Sequence, residues 1–169
     1  MAEINVRHEI DCSEETYWDK CFFDAEYNRR MFLDLLKFPG FTVLEQKDEG
    51  DKRSKKVKID PPLSGMPGPV KKAIGDKFSY VEEGTYDAKT HRYTFKVTPS
   101  MMADKTTVVG ELYTEKLGDH RIARFAKVKV EVKVFMLGSM VEEKILGDMK
   151  HSYEAAASFT NDFVKEKGW

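Results

Sequence analysis

The sequence predicts an α+β fold in which a curved, seven-stranded antiparallel sheet wraps around one long C-terminal helix, with two short helices after the first strand. Residues 126–134 alternate between apolar and mostly charged side chains, which is typical of a strand with one buried face. From 137 to 165 there is no proline, and apolar or small residues recur at steps of three and four. These helical-face residues are Val141, Ile145, Met149, Ser152, Ala156, Phe159 and Phe163.

The predicted C-terminal helix would extend about 40 Å, which is enough to cross a small domain. Its middle is built from small residues, whereas the strands that would face it carry large aromatic residues. The small residues are Gly147, Ser152, Ala155, Ala156, Ala157 and Ser158. A helix that is thin at its middle predicts a cavity between the helix and the sheet.

The first part of the chain predicts one strand and two short helices. Residues 3–11 alternate between apolar and polar side chains, which places His8 on the inward face of a half-buried strand. Ser13 offers a side-chain oxygen that can cap a first helix, and Asp24 can cap a second. The Phe-Pro-Gly sequence at 38–40 ends the second helix.

The middle of the chain predicts strands separated by turns. Period-two patterns at 41–46 and 54–59 flank a polar turn and indicate a hairpin. Residues 60–69 are too rich in proline and glycine for regular structure, and we expect Leu63 and Met66 to be exposed there. Four further strands are predicted at 78–86, 91–97, 106–116 and 121–135.

Composition limits the class of protein. At 169 residues and 19.5 kDa, with 41% hydrophobic residues, residues 1–169 predict a single globular domain. The formal net charge of -1 provides no global field that would favour nucleic acid, and we expect no nucleic-acid partner. The start of the chain lacks the pattern of a secretion signal, and no stretch of about 18 apolar residues occurs, so we expect a soluble cytoplasmic protein.

No cofactor or metal is expected from the sequence. Cys12 and Cys21 have no His or Cys neighbours at zinc-like spacing, and we expect reduced structural thiols. The sequence contains no Gly-x-Ser-x-Gly motif and no glycine-rich phosphate loop. The usual signatures of nucleophilic catalysis and of nucleotide binding are therefore absent.

Several short motifs add a resemblance to this pattern. They are residues 7–10 (Arg-His-Glu-Ile), 17–18 (Tyr-Trp), 23–28 (Phe-Asp-Ala-Glu-Tyr-Asn) and the ending 142–163. Together with the order of elements, they resemble the START-like, or helix-grip, superfamily (also called SRPBCC). This superfamily includes the plant pollen-allergen fold, bacterial polyketide cyclases and lipid-transfer domains. More narrowly, the motifs look like a bacterial START-like family whose function is not established.

The resemblance implies a deep pocket between the sheet and the C-terminal helix for a hydrophobic molecule such as a lipid, a sterol or a fatty-acyl compound. The alternating strands and the helix face would line it, with a few hydroxyl groups to orient the ligand. The expected lining residues are His8, Phe78, Tyr80, Tyr93, Phe95, Val97, Val108, Leu112, Val130, Val132, Ile145, Met149, Ser152, Tyr153 and Ala156.

Two other functions remain open at this point. An enzyme of the polyketide-cyclase type would need an acid or base in the pocket, and His8 and Glu82 are the candidates near neutral pH. Glu82 shares the parity of Tyr80 and would face inward on a regular strand, but a bulge at Gly84 would leave it in solvent. Alternatively, the inward side chains fill a solid core, and the domain is a protein-interaction module. We expect ligand binding without chemical turnover, as in a carrier, transfer protein or sensor.

A local basic segment predicts a contact with membranes. Residues 47–77 contain nine Lys or Arg and five Asp or Glu, so this segment carries a net charge of +4. A basic rim around apolar side chains favours transient docking on an anionic bilayer. The predicted docking residues are Leu63, Met66, Lys55, Lys56, Lys58, Lys71 and Lys72.

Overall fold

The computed structural model describes residues 1–169 and contains one antiparallel sheet of seven strands in the order β1-β7-β6-β5-β4-β3-β2. The first strand pairs with the last, and the remaining strands follow as a meander. The strands are β1 (Ala2–Ile10), β2 (Gly40–Glu49), β3 (Lys52–Asp60), β4 (Tyr80–Asp87), β5 (Arg92–Pro99), β6 (Thr106–Gly118) and β7 (Arg121–Val132).

The helices lie between β1 and β2, between β3 and β4, and after β7. Ser13 Oγ accepts a hydrogen bond from the Thr16 amide at 3.1 Å, and Asp24 Oδ2 accepts one from the Tyr27 amide at 2.9 Å, so both predicted caps are present. The helical segments are a π-helical turn (Thr16–Phe22), α1 (Ala25–Arg29), a second π-helical turn (Arg30–Leu35), α2 (Gly68–Ile74) and α3 (Gly138–Lys167). The predicted fold class, a sheet gripping a long C-terminal helix, is confirmed.

Helix α3 packs chiefly against β1 and β7. Asn161 accepts a hydrogen bond from the Asp11 amide at 2.8 Å, and Glu142 Oε1 accepts one from the Val132 amide at 2.8 Å. These two bonds fasten both halves of the helix to the ends of the neighbouring strands. The helix therefore lies closest to the β1 and β7 side of the sheet.

The predicted inward face of α3 is correct, but two of the small residues that were predicted to thin the middle of this helix do not face the sheet. All seven predicted face residues are buried or half-buried. Gly147 and Ser158, however, are exposed on the far side of the helix, so they do not thin the surface that faces the sheet. Among the small residues, Ala156 and Ala157 are buried, and Ser152 is half-buried.

An aromatic cluster lies near the turn between β4 and β5. Trp18 is 1% exposed and stacks on Tyr86, with 4.3 Å between the ring centroids. Tyr17 and Phe22 meet its ring edge-on. The indole Nε1 donates a hydrogen bond to Thr114 Oγ1 at 3.0 Å, so the one polar atom of the buried ring is satisfied.

Candidate functional site

The inner face of the sheet carries a small group of polar side chains among apolar ones. Glu82 lies opposite Val57 on β3 and Val97 on β5, and the pairing continues without a break through Gly84. The strand is therefore regular, and Glu82 faces inward rather than toward solvent. Glu82 therefore has the inward orientation that a cyclase-type site would need.

Glu82 and Tyr93 form a hydrogen-bonded pair. The Tyr93 hydroxyl donates to Glu82 Oε1 at 2.9 Å. Burial raises the pKa of Tyr93 well above its ordinary value, and the nearby Glu82 carboxylate raises it further. The phenol thus keeps its proton at neutral pH and acts as a fixed donor. Burial also raises the pKa values of Tyr80 and Tyr153, whose side chains lie near the same carboxylate.

Lys55 is the third polar member of this group. Successive side chains of a strand point to opposite faces, so Lys55 faces inward where its neighbour Lys56 faces outward. Lys55 is 8% exposed. Its Nζ lies 3.8 Å from the ring centroid of Phe22 and 5.6 Å from that of Tyr93, and it makes no hydrogen bond or ion pair. Burial lowers the pKa of Lys55 to about 8, although the charge of Glu82 opposes this shift.

Two glycines allow the aromatic rings to lie close to the sheet. A Cβ atom at Gly84 would be 2.1 Å from the Tyr93 ring, and one at Gly110 would be 2.5 Å from the Phe95 ring. Each ring therefore lies over the backbone of a neighbouring strand instead of standing away from the sheet. A side chain at either glycine would push the ring away from the sheet.

The opposite wall consists of half-buried side chains. Ile145, Met149 and Tyr153 on α3, and Val97 on β5, retain accessible surface although they face inward. Inward apolar side chains that stay partly accessible indicate a crevice between the helix and the sheet.

A buried arginine forms the other end of this inner surface. Arg124 is 2% exposed, and its Nη2 donates hydrogen bonds to His8 Nδ1 at 3.1 Å and to the carbonyl oxygen of Tyr153 at 2.7 Å. Burial lowers the pKa of His8, and the Arg124 charge lowers it further, so the ring is neutral and Nδ1 accepts. His8 therefore has a protein partner.

The structure places the predicted lining residues in three environments. Tyr80, Tyr93 and Tyr153 surround Glu82, whereas Phe78 lies before β4 and is half-buried. The inward positions of Lys55 and Arg124 were not predicted, although the alternation along β3 and β7 places both side chains on the inner face. The remaining residues belong to the walls or to the core below them: Phe95, Val97, Val108, Leu112, Val130, Val132, Ile145, Met149, Ser152 and Ala156.

Comparison with known proteins places this arrangement in a family. Residues 5–164 match the sequence profile of a family described as protein of unknown function, DUF2505. The chain belongs to the DUF2505 family. No curated protein sequence matches the chain. The DUF2505 fold is that of START-like proteins, as the sequence resemblance predicted.

Three solved structures illustrate the likeness of the DUF2505 chain to this fold. The aromatase/cyclase Zhui from Streptomyces sp. R1128 has a TM-score of 0.70 at 8% identity, covering 99% of this chain and 96% of that one. A START superfamily protein from Mycobacterium smegmatis has a TM-score of 0.64 at 15% identity, covering 95% and 98%. Norcoclaurine synthase from Thalictrum flavum has a TM-score of 0.62 at 14% identity, covering 98% and 87%.

Two open grooves of the DUF2505 chain lie on the outer face of the sheet. One has a volume of about 450 Å³ and is lined mainly by polar side chains of β2 to β5, including Lys56, Glu83 and Thr94. The other, of about 230 Å³, lies over β1 and β7 beside Arg7 and Phe125. Because both face away from α3, neither is the cavity that the sequence predicts.

The predicted membrane-docking residues are only partly on the surface of the DUF2505 chain. Lys55 faces inward, so its assignment to a docking surface is wrong, and Leu63 and Met66 are half-buried rather than exposed. The outward residues are Lys58, Lys71 and Lys72, which are exposed, and Lys56, which is half-buried and 3.2 Å from Glu83. No helix of the chain is long and apolar enough to span a membrane.

We expect Lys55→Met to raise the free energy of unfolding at pH 7 by about 1–2 kcal/mol. The shift of the Lys55 pKa to about 8 corresponds to a cost of about 3 kcal/mol for the buried charge. The attraction of the ammonium group to the Phe22 ring offsets about 1–2 kcal/mol of this cost. Urea denaturation of both proteins at several pH values measures the difference.

The advantage of Lys55→Met should shrink as the pH rises. In the folded wild type Lys55 loses its proton near pH 8, whereas in the unfolded chain it keeps the proton to about pH 10.4. The free energy of unfolding of the wild type therefore rises between these two pH values. Lys58→Met, at an exposed position, should show no such trend. A constant difference between Lys55→Met and wild type from pH 7 to pH 10 would contradict a lowered pKa.

Proposed function

We propose that the DUF2505 chain binds a largely apolar small molecule between its sheet and α3, with an oxygen-bearing group of that molecule at Lys55, Glu82 and Tyr93. The observation that carries the proposal is this polar group on an otherwise apolar inner face beside half-buried side chains of α3. Ligand sites typically combine an apolar lining with a few polar groups that fix orientation.

Burial of apolar groups would supply most of the affinity. Each buried methylene contributes up to about 0.8 kcal/mol before the costs of ordering and association. A lipid, sterol or fatty-acyl compound satisfies this requirement, and the protein would serve as a carrier, transfer protein or sensor. Shape and length of the crevice would then select the ligand more than any single polar contact.

A second candidate function is catalysis of the cyclase type. A specific observation favours it, namely the lysine with a pKa of about 8 next to a hydrogen-bonded carboxylate and phenol. A lysine with this pKa can exchange a proton near neutral pH, which general acid–base catalysis requires. The similar shape of an aromatase/cyclase is consistent with this candidate but shows the fold alone.

Native mass spectrometry after incubation with a total lipid extract tests the proposal. We expect one discrete bound species per protein chain, which denaturation releases for identification. The matched control uses two serines of α3. Ser152→Trp would fill the crevice from its half-buried position, whereas Ser158→Trp adds the same ring on the exposed side.

The outcomes separate the alternatives. Binding by wild type and by Ser158→Trp, together with its loss in Ser152→Trp, supports an interior ligand site. Bare protein in every preparation contradicts the proposal and favours a filled core. A bound compound whose mass changes with time would instead support the catalytic candidate.

A further inference from the structure

The Lys55 amine is nearly buried and has no hydrogen-bonding partner. An ammonium group carries three donors, and Lys55 uses none of them on a protein acceptor. Arg124 Nε is the one unpartnered side-chain nitrogen or oxygen that is sealed from solvent, so Lys55 Nζ keeps some accessible surface. The amine therefore has an accessible side at which a small molecule can meet it.

The surroundings of Lys55 favour a neutral partner group over an anionic one. A carboxylate on a ligand would be attracted to Lys55 but repelled by Glu82, whose charge acts on the same lysine. A carbonyl group carries no net charge and avoids this repulsion. The rings of Phe22, Phe23 and Tyr93, with centroids 3.8, 5.8 and 5.6 Å from Nζ, provide apolar contact for the carbons next to such a carbonyl.

We propose that Lys55 Nζ captures the carbonyl carbon of an apolar aldehyde or ketone as a reversible imine, with Glu82 carrying the proton between nitrogen and oxygen and Tyr93 holding Glu82 in place by its hydrogen bond. This inference rests on the proposed function, because the same crevice must hold the apolar part of the ligand. It adds a chemical class of ligand and a covalent step at a named atom.

The atoms balance without an oxidant or reductant. The unprotonated amine adds its lone pair to the carbonyl carbon, the carbonyl π electrons move to the oxygen, and the oxygen takes up the proton that the nitrogen gives up through Glu82. The resulting carbinolamine loses one proton from nitrogen and its hydroxyl group as water, which leaves a C=N bond. The products are one imine and one water molecule, and hydrolysis reverses the sequence.

The ionisation of Lys55 is suited to this step. Because burial lowers its pKa to about 8, its unprotonated fraction at pH 7 exceeds that of an ordinary lysine by more than about a hundredfold. Tyr93 keeps its proton and donates to Glu82, so a donor and an acceptor lie side by side near the amine. The Glu82 carboxylate can take up and return the proton that carbinolamine formation and dehydration move.

Reductive trapping with decanal and sodium cyanoborohydride tests the inference. We expect one decyl group per chain, located at Lys55 by peptide mapping, and incorporated at least about tenfold faster than at the neighbouring Lys56. Below pH 8 the rate should fall by about tenfold per pH unit as the amine becomes protonated. Decanol, which has the same chain without the carbonyl, should compete.

Two variants sharpen the result. Lys55→Arg keeps a cation among the rings of Phe22, Phe23 and Tyr93 but offers no amine, so it should form no adduct. Its melting curve checks that the variant is folded. Lys56→Arg changes the adjacent outward position and should label at Lys55 as the wild type does. Peptide mapping of the wild type alone still decides the question if Lys55→Arg does not fold.

The remaining outcomes overturn the inference in distinguishable ways. If native mass spectrometry shows decanol bound but decanal labels exposed lysines without preference for Lys55, the imine is wrong and the proposed function stands. If neither decanol nor any component of the lipid extract binds, the proposed function fails, and the imine at that site fails with it.

Discussion

Trp18→Ala should lower the free energy of unfolding by about 4 kcal/mol, which is typical of removing a buried aromatic ring. Trp18 is 1% exposed and stacks on Tyr86, and its indole nitrogen donates to Thr114. Alanine would leave a cavity at the centre of the aromatic cluster. It would also leave Thr114 Oγ1 without the indole as one of its partners, although this oxygen still donates to Glu14.

The second tryptophan of the chain provides the matched control. Trp169 is 38% exposed, and its ring meets Phe163 edge-on and lies beside the Lys20 ammonium group. We expect Trp169→Ala to cost less than about 1 kcal/mol. Chemical denaturation followed by far-UV circular dichroism avoids the loss of fluorescence in either variant. Equal losses for the two substitutions would show that the packing around Trp18 is not as described.

Gly138→Ala should destabilise the protein by about 2–3 kcal/mol through overpacking at the start of α3. A Cβ atom at Gly138 would lie 2.4 Å from the Val132 carbonyl oxygen. The obstacle is backbone, so no side-chain rotation relieves the clash. Either the end of β7 or the first turn of α3 must shift, and the Glu142 bond to the Val132 amide would be disturbed.

Gly147→Ala in the same helix should stabilise the protein instead. Nothing lies within 4 Å of a Cβ atom at Gly147, and alanine favours a helix over glycine by about 1 kcal/mol. Melting temperatures of the two variants against wild type measure both effects. A stabilised Gly138→Ala protein would mean that β7 and α3 are not joined as closely as the structure shows.

Strand alternation and helical periodicity predicted the order of elements because both depend on burial of one face, and burial is visible in the sequence. The last strand illustrates the limit of this reasoning. Val134 continues the alternation and the predicted strand extends to Phe135, yet β7 ends at Val132, and Phe135 is 91% exposed. Met136 follows with a positive φ of 62°, so the chain turns away from the sheet at this point.

The polar part of the site was harder to predict for a different reason. Lysine and arginine are rarely buried, so Lys55 was assigned to the surface and Arg124 was not considered for the site, although the parity of both residues places them inward. The contact of Glu82 with Tyr93 depends on the absence of a side chain at Gly84, which lets the phenol ring cross to the neighbouring strand. The sequence of one strand does not show which side chain of the neighbouring strand will cross over it.

The pairing of the first strand with the last has a consequence for how the chain is made. Ala2 pairs with Val130, and Ile10 pairs with Ile122. On the ribosome, β1 emerges first and has no sheet neighbour until β7 has been synthesised. Its apolar edge is therefore available to other nascent chains for most of translation. Closure of the sheet between β1 and β7 joins residues more than a hundred positions apart, which favours slow folding.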